Sequence, residues 1–156
     1  MKIENSIQAK FRELWIYYIV QSLLAAATLF IIILILGQER MVVASAIGAT
    51  AFIVFAMPKS VSAQTRNVIG GHIVGMIAGS IFLAVALPFS IECALAVALA
   101  IFLMVALDVE HPPAAGTALA VVINEVGLDA FVTILTSAVI LSLCRYYLRS
   151  CLKDLV

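Results

Sequence analysis

A chain of 156 residues that is 65% hydrophobic and 12% charged, with a mean hydropathy of +1.20, carries more apolar surface than a soluble domain can bury, since such domains run about half apolar and about a quarter charged. Nine basic and nine acidic side chains cancel, which leaves no basic footprint for nucleic acid. What remains is an all-α polytopic membrane bundle embedded in a lipid bilayer, one domain over residues 1–156.

Residues 1–13 are polar and mixed in charge, as expected of a cytoplasmic N-terminal segment. The apolar run over 14–36 is too long for the core of a signal peptide and no small-residue cleavage site follows it, so it reads as a retained span. Further runs fall at 41–57, 68–87, 91–107, 113–124 and 130–148. These predict a membrane bundle over 14–148 and a cytoplasmic tail over 149–156. A spanning helix takes about 20 residues. The fifth run has 12 and reaches only about 18 Å as helix. It can cross if residues 108–112 are extended within the membrane, adding about 16 Å, provided that this stretch faces protein or water.

Basic residues orient the chain. If all six runs cross from a cytoplasmic N-terminus, Lys2, Lys10, Arg12, Lys59, Arg66, Arg145, Arg149 and Lys153 lie inside and Arg40 alone lies outside. A re-entrant fifth run would move Arg145, Arg149 and Lys153 outside, so six crossings are expected. The turns at residues 38–40, 89–91 and 124–129 are then external. The runs also divide into two triplets. Small-residue segments sit in the middle of each, Ser45-Ala46-Ile47-Gly48-Ala49-Thr50-Ala51 and Pro113-Ala114-Ala115-Gly116-Thr117-Ala118. With three crossings per half this predicts an inverted repeat, an architecture of secondary transporters with a midplane site.

The loop from Met57 leads through Gln64, Arg66 and Asn67 into the third run. Arginine offers a planar, permanently charged fork suited to small oxyanions, although a positive-inside anchor needs no more than its charge. Inside the third run, Gly71, Gly75 and Gly79 recur every four residues and predict a smooth ridge for close helix packing. His72 sits beside that ridge. A histidine in a span is either a functional group or a hydrogen-bonded core residue.

Asp108 and Glu110 precede His111-Pro112-Pro113. A residue before proline is driven out of the α region and proline suits the first helical turn, so Pro113 should start a helix. The amides of Ala114 and Ala115 would then be open donors beside small side chains, including Gly116 and Thr117, and such a helix start binds anions. A water-capped helix start is the competing reading. The two carboxylates oppose an anion; they either pair with Arg66 and Lys59 at the mouth or pass a proton with the substrate. Cys93, Cys144 and Cys151 lack metal spacing. No metal or cofactor is expected, and no nucleophile–base set implies an enzyme.

These blocks resemble the HPP family of integral membrane proteins, named for its His-Pro-Pro motif. The resemblance rests on Glu39-Arg40, on Ala46-Ile47-Gly48-Ala49-Thr50-Ala51, on Ala63-Gln64-Thr65-Arg66-Asn67-Val68-Ile69-Gly70-Gly71-His72, and on His111 to Ala118. It covers about residues 15–148. Thr65 stands where the family usually has proline. Some members are similar to nitrite transporters, so the resemblance implies transport of nitrite or another small monovalent oxyanion. The expected function is thus a small-inorganic-anion transporter in the bacterial inner membrane. Gln64, Arg66, Asn67, His72, His111, Ala114, Ala115, Gly116 and Thr117 would bind, and Asp108 and Glu110 would gate or couple protons. An anion channel, or a membrane subunit or sensor that binds a partner protein, are the alternatives. Six short spans make a thin bundle, which points to a homo-oligomer.

Overall fold

The computed structural model describes residues 2–36, 41–85, 87–124 and 128–156, and these form six helices: α1 (Lys2–Leu36), α2 (Met41–Ala56), α3 (Thr65–Leu83), α4 (Phe89–Ala106), α5 (Pro113–Asn124) and α6 (Leu128–Leu148). Four helices are long and apolar enough to cross a membrane by length and composition, and α2 and α5 are shorter apolar helices. The helix already runs from Lys2, so the polar start of the chain continues into the first span without a break. The expected turn at residues 89–91 is instead the first turn of α4. Pro88 precedes that helix, and the Glu92 carboxylate accepts from the Leu87 N–H at 2.9 Å. The expected turn at residues 38–40 and residues 125–127 of the last one lie outside the described residues.

Helix α5 sits at the centre, against α2, α3 and α4, while α3 also touches α4 and α6. One apolar layer joins Val74 and Ala78 of α3, Ala96, Ala100 and Met104 of α4, and Ala114, Ala118 and Val122 of α5. A second joins Ile32 of α1, Ile47, Val54 and Phe55 of α2, Val68 of α3, Val121 of α5, and Ile134 and Leu141 of α6. Outward positions are large and apolar, among them Leu23, Phe30, Phe52, Phe102 and Val132. That much apolar surface facing out is what lipid requires and what water penalises.

The middle of α1 and the C-terminal residues meet at one end of the bundle. Buried Gln21 of α1 bonds the Phe55 carbonyl, donates to Lys153 O at 2.9 Å and accepts from Lys153 N–H at 2.8 Å. Leu155 N–H donates to Ala56 O at 2.9 Å, and Arg145 Nε donates to Pro58 O at 2.8 Å. Residues 152–155 are therefore packed into the bundle and are not a loose tail. Since α6 ends where α2 ends and α3 begins, α5 must traverse the bundle, as six crossings require, and is not re-entrant. The single tryptophan and all four tyrosines fall at 15–18 and 146–147. Lys153 Nζ lies 5.9 Å from the Tyr17 ring centre and Arg149 Cζ lies 5.2 Å from that of Tyr146. Aromatic rings and cations collected at one level are the signature of a membrane–water interface.

The arrangement predicts a labelling pattern. In a background lacking the native cysteines, single cysteines at Lys10, Lys59 and Ser150 should respond alike to a membrane-impermeant thiol reagent, and one at Leu87 should respond oppositely. Opposite responses at Lys59 and Ser150 would restore the re-entrant fifth segment.

Candidate functional site

At the basic end, α4 stops with Asp108 in the left-handed region (φ 55°). Val109 N–H donates to Met104 O at 2.9 Å and Asp108 N–H to Val105 O at 3.2 Å. This pair of bonds closes a Schellman motif, in which aspartate takes the place usually held by glycine. The chain then runs without helix through Val109 to His111, and Pro113 opens α5 as the proline pair predicts.

Arg66, in the first turn of α3, pairs with the Asp108 carboxylate and also donates to the Asp108 carbonyl. Asn67, buried, donates from Nδ2 to Glu110 O at 3.2 Å. The first turn of α3 thus holds the whole α4–α5 connection. Gln64 lies exposed at the N-cap of α3 and makes no side-chain cap. Thr65 occupies the first helical position, where a missing N–H costs nothing, so threonine serves where proline would.

The glycine ridge faces α5. A Cβ on Gly71 would fall 2.6 Å from His111 Cβ, one on Gly79 would fall 2.6 Å from Ala118 O, and one on Gly75 would collide with the Ala114 carbonyl. Backbone meets backbone along this line, which brings His72 against α5. His72, His111, Thr50 and Thr117 are all completely buried. His72 Nδ1 lies 2.7 Å from Thr117 Oγ1, and His72 Nε2 lies 3.0 Å from Thr50 Oγ1. Thr50 Oγ1 is also 3.0 Å from His111 Nε2, and His111 Nδ1 is 2.8 Å from Ser62 O. The two rings stand 5.1 Å apart. Four side chains from α2, α3, α5 and the preceding loop thus form one continuous hydrogen-bonded chain.

Two sequence expectations change here. The amides of Ala114 and Ala115 are not open donors: they bond His111 O at 2.8 Å and Pro112 O at 3.1 Å, because the chain bends at the proline pair and presents its own carbonyls. Ala114 is moreover sealed in the α3–α5 contact. Second, the carboxylate of Asp108 holds the Arg66 fork, so the guanidinium and the α5 start do not converge on one point. Gly116 is half-buried, and a Cβ added to it would lie 3.6 Å from Ala46 Cβ of α2. Glu110 contributes its backbone carbonyl, and its side chain stays partly exposed.

The residue that sequence reasoning missed is Thr50, placed there among small packing residues. A signal was present: Gly48-Ala49-Thr50-Ala51 and Ala115-Gly116-Thr117-Ala118 match around their threonines, and both threonines bond His72. Helix α2 runs toward the basic end and α5 away from it, as segments of an inverted pair must. No group of three His, Cys, Asp or Glu side chains able to hold a metal gathers among the described residues. A groove of about 550 Å³ between α3 and α6 is lined by Ile73, Ile77, Ile81, Phe131 and Leu135. Its walls suit an acyl chain and do not touch the histidine pair.

Comparison with known proteins gives a match to the HPP transmembrane-region family over residues 8–153. Two proteins of Dictyostelium discoideum, each named only as a transmembrane protein, are similar. One is 38% identical over 94 residues, covering 57% of this chain and 33% of its own; the other is 38% identical over 92 residues, covering 56% and 29%. The chain spans about a third of the length of these relatives. No solved structure matches significantly.

Proposed function

This chain belongs to the HPP transmembrane-region family, and on that premise we propose that it carries a small inorganic anion across the membrane, nitrite or a similar monovalent oxyanion. The observation that supports this most is the buried Thr117–His72–Thr50–His111 chain where the two short helices meet α3. A bundle that only had to fold would fill those positions with apolar side chains, because polar groups at membrane depth cost free energy even when paired. Polar groups retained there mark a path.

Arg66 is an exposed cation at the α4–α5 connection, where an anion would enter. An oxyanion arriving there competes with the Asp108 carboxylate for one guanidinium, so binding loosens one tie on the α4–α5 connection while Asn67 keeps the other. The basic end faces the cytoplasm of a bacterial inner membrane on the positive-inside rule. The homo-oligomer belongs to this proposal too: α1 touches α2 and little else, and a second copy against it would thicken a thin bundle. No catalytic chemistry is assigned.

Saturable uptake of nitrite into proteoliposomes of the purified chain is the test. Uptake that never saturates would replace the carrier with a channel, and no flux at all would favour the partner-binding subunit. Arg66→Lys keeps the charge and loses the fork, and charge-assisted hydrogen bonds are worth about 1.5–3 kcal/mol each. Apparent affinity should fall about tenfold or more. The melting temperature should barely move, since an ion pair this exposed stabilises by about 0–1 kcal/mol. Unchanged affinity in Arg66→Lys would remove Arg66 from the path.

A further inference from the structure

The Ser62 carbonyl fixes the protons of the whole buried chain. A carbonyl only accepts, so the His111 nitrogen that faces it at 2.8 Å carries a hydrogen. In a neutral imidazole the other nitrogen, Nε2, is then bare and needs a donor. Thr50 Oγ1, 3.0 Å away, is its partner in the structure. Thr50 has a single hydrogen and three partners within reach: His111 Nε2, His72 Nε2 and, at 2.9 Å, the carbonyl of Ala46 four residues back. If that hydrogen goes to His111, His72 must donate from Nε2 to Thr50 and accept at Nδ1 from the Thr117 hydroxyl, 2.7 Å away. The result is one unbroken polarity, Thr117 to His72 to Thr50 to His111 to Ser62, in which every buried group is satisfied and no charge is present.

The same cluster accommodates one more proton without moving a heavy atom. Placed on His111 Nε2, it makes that ring an imidazolium with two N–H groups. Thr50 then accepts from His111 and from His72, and its own hydrogen turns to the Ala46 carbonyl. That is the ordinary resting place of a helix threonine, used in this chain by Thr28 on Leu24 and Thr133 on Asp129. A second proton would put two like charges 5.1 Å apart in the bundle interior, where repulsion is weakly screened.

We propose that His72 and His111 form a binding site for a single transported proton, loaded and released as the Thr50 hydroxyl turns between His111 and the Ala46 carbonyl. One proton taken up with one monovalent anion leaves the loaded carrier with no added charge, so the anion crosses without an electrostatic penalty. The charged groups facing this site are few. The Arg66–Asp108 pair and Glu110 lie at the α3 start and in the α4–α5 connection, Lys59 is on the loop that supplies Ser62, and Arg145 of α6 is turned to Pro58 O. Helices α2, α4 and α5 present no ionisable side chain to it; Glu92 and Cys93 of α4 lie at the far end. Glu110, partly exposed and adjacent to His111 in sequence, is the carboxylate placed to relay the proton from water. The co-transport clause rests on the anion-carrier reading, whereas the proton site itself does not.

Two measurements test it separately. In detergent-solubilised protein with ¹⁵N-labelled histidine, NMR at neutral pH should show two neutral rings in opposite tautomers, His111 protonated at Nδ1 and His72 at Nε2, with one proton gained by the pair on acidification. Identical tautomers, or two protons gained together, would overturn the site whatever the uptake assay gives. In proteoliposomes, nitrite uptake should be accelerated by an inward proton gradient. Thr50→Val, which keeps the shape and removes the hydroxyl, should cut that acceleration about tenfold, the worth of one buried hydrogen bond, while Thr28→Val should leave it intact. Uptake indifferent to the gradient in the parent protein would overturn co-transport. Absence of all uptake beside the expected tautomers would instead sink the anion carrier and leave the proton site standing. If Thr50→Val lowers the yield, Thr50→Ser, which retains the hydroxyl, should restore both fold and gradient response; failure to restore the response in folded Thr50→Ser protein counts against the site.

Discussion

Gly75→Leu is expected to abolish the folded bundle, or to leave a remnant that melts far below the parent in detergent. Even a Cβ at that position would collide with the Ala114 carbonyl and press on Thr117 Cβ at 3.3 Å. The obstacle is helix backbone, which cannot rotate aside as a side chain does. Overpacking a tight interior costs about 1–3 kcal/mol when neighbours can adjust, and here α3 and α5 must separate along their whole contact. The effect should therefore sit at or above the top of that range. Separation would also pull His72 from Thr117. Gly48→Ala is the matched control, since nothing lies within 4 Å of a Cβ there. It should fold like the parent and gain slightly, because alanine is favoured over glycine in helices by about 1 kcal/mol. Size-exclusion profiles after stepwise heating read both. A Gly75→Leu protein that melts with the parent would show that α3 and α5 do not meet along this ridge.

His72→Leu should lower stability by about 1–3 kcal/mol although leucine fills similar space. The substitution removes one member of the chain and leaves Thr117 facing an apolar side chain, while Thr50 keeps His111 Nε2 and Ala46 O. Leaving a buried polar group unpaired costs about 1–3 kcal/mol each, whereas replacing every partner by an apolar group of the same shape is nearly neutral. Adding Thr117→Val to His72→Leu, with Thr50 kept as the partner of His111, should therefore regain much of the lost stability, and transport should remain abolished. That combination separates a site kept for function from a cluster kept for folding. If His72→Leu alone is as stable as the parent and transports normally, the buried chain has neither role.

Composition by itself determined the class: an interior this apolar has no soluble solution, and the six runs, the proline-started fifth helix and the common side of both termini followed from hydropathy and basic residues. The glycine spacing likewise announced a close helix contact. All of these are local or additive properties, which is why they are legible one residue at a time. Tertiary structure alone decided which groups meet. Thr50 looked like packing until α2 was laid against α5, and Gln21 gave no sign that it would hold Lys153 from 132 positions away. The Ala114 and Ala115 amides looked open because their acceptors, His111 O and Pro112 O, depend on how the chain bends at the two prolines. Arg66 looked available because nothing in the sequence says that the left-handed turn at Asp108 carries its carboxylate to that guanidinium. A hydrogen bond needs both partners within about 3 Å and correctly oriented, and only the folded chain fixes those positions.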